Sequence, residues 1–302
     1  MEPPFIKLIP YNCGAGAENN GCEEGPLTLK EYKITSYLRK SGYKVEWEKF
    51  LNTKTTKHTD NLERLRLVEK HCNYLNEKVS VALSQDYFPI TIGGDHSMAI
   101  GTWTGVASSL YTRRKLGLIW IDAHMDAHTT QTSSSGNYHG MPISYLLGYG
   151  NDVLSNITGR MPVIMPNHLC LIGIRSFETE EAEMLQKAGA RIFLMEEVKQ
   201  RGLDQVMLEA VKIVSTNTAG FGISIDIDAF DPKEAPGTGT RADDGIQKTK
   251  FFSALDYAMQ GYGKALLAIE IAEYNPRLDV DFVTASLMRD IIIKLLKFKT
   301  YY

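Results

Sequence analysis

Three short clusters of histidine and aspartate are the residues of this chain best suited to bind metal ions. They are Gly93-Gly94-Asp95-His96, Asp122-Ala123-His124-Met125-Asp126 and Asp226-Ile227-Asp228. Each cluster directly follows an apolar run of the kind that forms a strand. Alternate side chains of an extended backbone point to the same side, so the charged residues within the second and third clusters are expected to converge.

Charge counting predicts how many ions such a site would hold. Carboxylates packed this closely would repel one another and lose hydration unless cations lay among them. Two divalent ions would neutralise the aspartates, and the histidines would add neutral nitrogen ligands. The predicted metal ligands are His96, Asp122, His124, Asp126, Asp226 and Asp228. Oxygen and imidazole ligands together favour manganese(II), whereas thiolates are typical of structural zinc. A lone cluster is more often a loop or helix cap, but three at strand ends favour metal.

The composition is that of a globular enzyme. The chain has 302 residues, of which 43% are hydrophobic and 23% charged, with a formal net charge of −3. No basic surface for nucleic acid, no apolar signal core and no membrane span of about 20 residues is expected, which favours a cytoplasmic protein. The cysteines lack Cys-x-x-Cys spacing, so buried free thiols are expected, although Cys13 and Cys22 could pair in an oxidising compartment.

Strand-like runs alternate with helical segments along the chain. The predicted strands are 5–10, 88–92, 116–121, 169–174, 221–225 and 265–271, and the predicted helices are 28–39, 60–83, 180–188, 203–214, 248–259 and 284–298. Asp60 is the predicted N-cap of the second helix and Gly261 the C-cap of the fifth. The alternation predicts one three-layer α/β/α domain over residues 1–302, with a mainly parallel sheet. Ligands of such sheets bind beyond the carboxyl ends of the strands, where all three clusters lie.

The clusters resemble the signature motifs of the ureohydrolase family, which includes arginase and agmatinase. The resemblance covers nearly the whole chain and continues through 224–232 into 235–240. Within the family, segments 21–26, 93–101 and 132–144 are most similar to arginase. The resemblance implies an arginase-like fold, two manganese(II) ions per subunit, and a homo-oligomer, either a trimer or a hexamer.

The resemblance also implies roles for the matching positions. One ion would be held by His96, Asp122, Asp126 and Asp226, and the other by His124, Asp122, Asp226 and Asp228. A hydroxide bridging the ions would attack the guanidinium carbon of L-arginine, giving L-ornithine and urea. His139 would protonate the leaving amine, Asp126 would act as ligand and catalytic residue, and Glu273 would pair with the guanidinium. Glu270 competes with Glu273 by residue type alone, and Asp95 is a candidate acceptor for the ring N–H of His96.

Departures from the arginase pattern bear on the choice of substrate. The residues expected to bind substrate are His128, Ser135, Asn137, Glu181, Thr240 and Glu273. His128 stands where arginases usually carry asparagine, and Ser176 and Glu178 stand where they carry two aspartates. Glu181 has an equal claim as a helix cap. An agmatinase, or another guanidino-acid ureohydrolase, is therefore the alternative enzyme. A catalytically silent binding protein of the same fold is the alternative outside enzymes.

Overall fold

A parallel sheet of eight strands runs through the protein. The computed structural model describes residues 3–18, 21–52, 60–110, 115–157 and 162–301. The strands are β1 (Phe5–Tyr11), β2 (Lys44–Trp47), β3 (Tyr87–Gly93), β4 (Leu116–Ile121), β5 (Ile164–Ile174), β6 (Arg191–Leu194), β7 (Gly220–Asp226) and β8 (Leu266–Ala272). The α-helices are α1 (Gly25–Glu31), α2 (Ile34–Lys40), α3 (Asn61–Ser84), α4 (Met98–Ser109), α5 (Pro142–Leu146), α6 (Thr179–Ala188), α7 (Met195–Arg201), α8 (Leu203–Ser215), α9 (Lys248–Ala258) and α10 (Val283–Tyr301). Short 3-10 turns lie at Cys22–Glu24, Tyr138–Gly140, Val153–Asn156, Ile227–Ala229 and Gly263–Ala265.

The strands follow the order β2-β1-β3-β8-β7-β4-β5-β6, and every pairing is parallel. Helices cover both faces of the sheet. The buried apolar side chains accordingly form two clusters. One contains residues of α3 and α4, and the other contains residues of α8, α9 and α10. The central strands are buried on both sides, as continuous apolar runs such as Leu116–Ile121 predict. The predicted three-layer architecture is confirmed, and the sheet is entirely parallel.

Several predicted boundaries are confirmed and others are wrong. Asp60 caps α3, since its Oδ1 accepts a hydrogen bond of 2.8 Å from the backbone N–H of Glu63. The predicted helix 28–39 is two helices, because Lys33 has a left-handed φ of 61° that breaks the helical path. Gly261 is not a C-cap: α9 ends at Ala258, and Met259 occupies that position. The strand predicted at 169–174 begins earlier, at Ile164.

Elements without a strong periodic pattern escape prediction, and α4 is the clearest case. Its residues Met98–Ala107 are all buried, so it has no polar face to mark a helical period. Two glycines let it pack closely on α3: a Cβ at Gly101 would lie 2.5 Å from the carbonyl oxygen of Cys72, and one at Gly105 would lie 2.7 Å from that of Asn76. The short elements β2, β6, α5 and α7 were not predicted either.

Two further sequence expectations concern the cysteines and the membrane. All four cysteines are buried and free, as expected, so Cys13 and Cys22 are not bridged. Among the described residues, no helix combines the length and the apolar character needed to cross a bilayer.

Candidate active site

The predicted site residues gather at one edge of the sheet, above four neighbouring strands. In parallel strands the carboxyl ends lie at the same edge. His96 follows β3, Glu273 follows β8, Asp226 ends β7, and Asp122 follows β4. Because the sheet order places β3, β8, β7 and β4 side by side, residues far apart in sequence become neighbours here.

The first metal-like cluster surrounds the buried imidazole of His96. Its Nδ1 lies 3.2 Å from Asp122 Oδ2, 3.1 Å from Asp126 Oδ2 and 3.2 Å from Asp226 Oδ2. This nitrogen is buried, and within the described part of the chain it has no hydrogen-bond partner. A buried nitrogen facing three carboxylate oxygens is a donor set that fits a divalent cation, and the four residues match the first predicted ligand set.

The second cluster adjoins the first through Asp122. His124 Nδ1 lies 3.1 Å from Asp228 Oδ2 and 3.5 Å from Asp122 Oδ1, and these three residues can hold a second ion. Asp122 therefore offers one oxygen to each cluster. Asp226 groups with the first cluster, so its predicted place in the second ligand set, as a bridge, stays a prediction.

Crowding of the carboxylates disfavours their charged forms when no cation is present. Burial, together with the charge of Asp122, raises the pKa of Asp126 to about 6. Burial and the neighbouring charges of Asp228 and Asp122 raise the pKa of Asp226 well above its ordinary value. Burial alone would lower the pKa of His96, but the neighbouring carboxylates of Asp122, Asp126 and Asp226 outweigh burial and raise that pKa. The site thus favours protons or metal ions among its carboxylates.

The side chains converge for a different reason from the one the sequence predicted. The prediction assumed an extended chain, but β4 ends at Ile121, and Asp126 has a left-handed φ of 48°. Asp228 lies in a 3-10 turn, and its Oδ1 accepts a hydrogen bond of 3.2 Å from the backbone N–H of Ala123. The two loops are therefore tied to each other, and loop conformation, not strand alternation, brings the carboxylates together.

A buried hydrogen-bonded chain orients the ring of His96. Its Nε2 lies 3.0 Å from the hydroxyl oxygen of Ser224, which donates to Glu270 Oε1 at 2.6 Å. Trp103 Nε1 donates to the same carboxylate oxygen at 3.0 Å. Because the single hydroxyl proton of Ser224 goes to Glu270, Nε2 of His96 is the donor, and Nδ1 of the neutral ring keeps its lone pair for a metal.

Asp95 does not take the role that the sequence suggested for it. Its Oδ2 accepts from the backbone N–H of Gly16 at 2.9 Å, and its Oδ1 accepts from the backbone N–H of Ser97 at 3.0 Å. The suggestion that Asp95 accepts the ring N–H of His96 is therefore wrong, since Ser224 lies at that nitrogen. Glu270 lies in the strand and supports Ser224, while Glu273 reaches the pocket.

His139 and Glu273 meet beside the clusters. His139 Nδ1 lies 3.1 Å from Glu273 Oε1, and the same oxygen accepts from the backbone N–H of His96 at 2.9 Å. Burial alone would lower the pKa of His139, but its pairing with Glu273 raises it to about 9. Burial would raise the pKa of Glu273, but its bond to His139 lowers it. Glu273 has a left-handed φ of 63°, a strained conformation of the kind found at functional sites.

A pocket of about 180 Å³ opens onto both clusters. Every residue predicted to bind substrate lines the pocket, as do His139 and several predicted metal ligands. The lining includes His124, Asp126, His128, Ser135, Asn137, His139, Ser176, Glu178, Glu181, Asp226, Asp228, Thr240 and Glu273. His96 and Asp122 are fully buried and are not part of the lining. The individual roles of these residues stay predictions.

Among the residues that line the pocket, His128 and two glutamates form a hydrogen-bonded group. His128 Nε2 lies 3.0 Å from Glu178 Oε2 and 3.4 Å from Glu181 Oε2. Glu181 also accepts from the backbone N–H groups of Ala127 at 2.9 Å and Glu178 at 3.1 Å, and the latter bond belongs to a capping box at the start of α6. Burial raises the pKa of Glu181 to about 7. Its capping role is therefore established by geometry.

Two arginines support the site although no sequence pattern predicts them. Arg175 Nη2 donates to the carbonyl oxygens of Asp228 at 2.8 Å and Ala242 at 2.9 Å, which fastens the second cluster to a neighbouring loop. Arg64, in the first turns of α3, donates to Asn137 Oδ1 at 2.6 Å. No local pattern marks either contact, because the partners lie more than 50 residues away in the chain.

Comparison with known proteins agrees with this geometry. The family model described as "Arginase family" matches residues 5–297. The arginase of Brevibacillus brevis is 36% identical over 283 residues, which are 93% of each chain. The native structure of Bacillus caldovelox arginase superposes with a TM-score of 0.89 at 32% identity, covering 97% of this chain and 98% of that one. Entamoeba histolytica arginase, solved in complex with L-ornithine, gives a TM-score of 0.86 at 30% identity and covers 98% and 99%. A match of this length, together with buried metal-like clusters at the expected strand ends, shows that the chain is a hydrolase that belongs to the arginase family.

Proposed function

We propose that this protein is a manganese-dependent arginase, which converts L-arginine and water into L-ornithine and urea. One observation carries the proposal. Two His/Asp clusters that share Asp122 lie beside a pocket in which His139 is paired with Glu273. Hydrolysis of a guanidino group requires metal ligands, a proton donor and a carboxylate that binds the guanidinium.

The clusters would hold two manganese(II) ions, one beside His96 and one beside His124. The mixed oxygen and nitrogen donors suit this ion, and the buried, unpartnered Nδ1 of His96 supports the fit. Divalent ions bound there would lower the pKa of a water molecule by several units and so supply a hydroxide nucleophile near neutral pH.

Glu273 would bind and orient the substrate guanidinium. Its Oε1 is occupied by the backbone N–H of His96 and by the ring of His139. Among the described residues, none donates a hydrogen bond to its Oε2. That oxygen is therefore the one left for a planar guanidinium donor. The lowered pKa of Glu273, caused by the bond to His139 against the effect of burial, keeps this acceptor charged.

His139 would deliver a proton to the leaving amine. Its pKa of about 9, which the pairing with Glu273 raises against the effect of burial, keeps the imidazole protonated at neutral pH. Nδ1 faces Glu273, so Nε2 is the atom that can transfer the proton. Protonation makes the amine of ornithine a better leaving group, and this is general acid catalysis.

The remaining lining residues would bind the amino-acid end of the substrate. They are His128, Ser135, Asn137, Glu181 and Thr240. The ornithine complex of the Entamoeba histolytica relative supports a substrate with that end. By family resemblance we further propose a cytoplasmic homo-oligomer, either a trimer or a hexamer.

The test is urea release by the manganese-loaded protein from L-arginine, agmatine and guanidinobutyrate in parallel. We expect the highest kcat/KM with L-arginine, the one compound of the three with both an α-amino group and an α-carboxylate. A preference for agmatine or guanidinobutyrate would move the assignment to another ureohydrolase. Failure with all three, with manganese bound, would favour a silent binding protein.

A further inference from the structure

We propose that Arg64, which does not line the pocket, is a positioning residue that fixes the amide of Asn137 as a hydrogen-bond donor toward the carboxylate of the substrate. This inference rests on the proposed function, and it adds a residue that no motif in the pocket predicts. It concerns substrate binding and not the bond cleavage itself.

The side chain of Arg64 reaches from α3 to two loops beside the pocket. Its Nη2 donates to Asn137 Oδ1 at 2.6 Å and to the carbonyl oxygen of Ala17 at 3.4 Å. Its Nε donates to the carbonyl oxygen of Ala15 at 2.9 Å. Three hydrogen bonds of one guanidinium fix its plane, so the side chain is held where it meets Asn137.

The chemistry of the two side chains sets the orientation of the amide. A guanidinium carries only donors, so the Asn137 atom that faces it must be the oxygen and not the nitrogen. The amide NH₂ then occupies the other branch of a side chain that lines the pocket. Among the described residues, none accepts a hydrogen bond from this nitrogen. A donor in that place attracts a carboxylate and offers nothing to an ammonium or guanidinium group.

The turn that Arg64 contacts is also bonded to Asp95 and to the backbone of His139. The carbonyl oxygen of Gly16 accepts from the backbone N–H of His139 at 3.1 Å, and the backbone N–H of Gly16 donates to Asp95 Oδ2 at 2.9 Å. A Cβ at Gly16 would lie 2.2 Å from Asp95 Oδ1, so glycine allows this close approach. The turn therefore has anchors at Asp95 and at the backbone of His139 that do not involve Arg64, and the direct contact of Arg64 with the pocket is its bond to Asn137.

Loss of the guanidinium would free the amide to rotate. A rotated amide would present its oxygen to the substrate carboxylate, and two acceptors repel each other. Substrate binding should weaken, whereas the proton donor and metal ligands keep their own partners. We expect the KM for L-arginine to rise about tenfold and kcat to change less than about threefold, because a hydrogen bond to a charged group is made in the ground state and transition state alike.

The experiment compares Arg64→Met and Arg64→Lys with the native enzyme, using the manganese-loaded full chain. Methionine keeps the apolar stem without the donors, and lysine restores a cationic donor, so the lysine variant should recover part of the KM. Arg66→Met is the matched control, since Arg66 lies on the same helix and is exposed. It should leave both kinetic constants unchanged. Thermal unfolding of each variant separates a folding defect from a binding defect.

A double-mutant cycle with Asn137→Ala tests the route of the effect. If Arg64 acts through Asn137, Arg64→Met adds little to the KM of the Asn137→Ala enzyme. The assignment would be overturned by an unchanged KM in Arg64→Met, or by a loss of kcat in that variant without a change of KM. It would also be overturned if the two substitutions had fully additive effects on KM. Absence of urea release by the native enzyme would instead overturn the proposed function, and the two failures are thereby distinguished.

Discussion

Glu273 Oε1 lies 3.1 Å from His139 Nδ1, and this contact sets the proton affinity of the proposed general acid. Against the effect of burial, the carboxylate raises the pKa of His139 to about 9. The interaction stabilises the folded protein fully at pH values below about 6.5, the ordinary histidine pKa. That stabilisation is lost as the pH rises through about 9.

Glu273→Gln should therefore lower the pKa of His139. The amide removes the negative charge while keeping the size of the side chain, so the pKa should fall from about 9 toward its ordinary value. NMR titration of the imidazole C–H signals in the metal-free protein measures it directly. His71, whose pKa is lowered by burial and which is not part of the pocket lining, serves as the internal control. An unchanged His139 titration would show that Glu273 does not set its proton affinity.

His139→Asn should slow turnover while the metal ions stay bound. The substitution removes the proton donor, and general acid catalysis typically contributes about 10² to 10⁴ in rate, so kcat should fall by that order. His139 is not among the residues of the two metal-like clusters, so the manganese content should not change. Activity and metal content are measured on the same preparation. Loss of manganese in this variant would show that His139 is needed for metal binding.

Ser224→Ala should weaken the metal site without touching a ligand. The hydroxyl joins His96 Nε2 to Glu270, and removal of such supporting groups typically costs about 10- to 100-fold in metal affinity. Calorimetric titration with manganese measures the effect. Ser215→Ala is the control, because that hydroxyl bonds to the carbonyl oxygen of Val211 in its own helix. Equal manganese affinity in the Ser224→Ala protein would contradict the orienting role.

Manganese should raise the unfolding temperature of the native protein. The ions bind the folded chain preferentially, and each bound ion adds about 2.7 kcal/mol of stability at a free concentration of 100 times its Kd. Asp122→Asn should abolish most of this gain, because Asp122 offers an oxygen to both clusters. Asp281→Asn, a change at an exposed position, should retain it. The readout is thermal unfolding with and without manganese, and an equal metal-induced shift in both variants would refute the shared role of Asp122.

The sequence predicts the site better than it predicts how the site is built. Charged residues directly after apolar runs indicate the correct edge of the sheet, because the ends of parallel strands share that edge. The left-handed Asp126 and the 3-10 turn at Asp228 depend on tertiary hydrogen bonds that no local pattern encodes. The Ser224–Glu270 contact is equally invisible, since its residues lie 46 positions apart. Local propensity likewise gives no sign of the break at Lys33.

The products formed from L-arginine decide whether the protein is an arginase. The manganese-loaded protein is incubated with L-arginine in ¹⁸O-labelled water, and the products are analysed by mass spectrometry. We expect equal amounts of L-ornithine and urea, with one solvent oxygen in each urea molecule and none in ornithine. Citrulline and ammonia as products, or no turnover by a protein with its manganese bound, would contradict the proposed function.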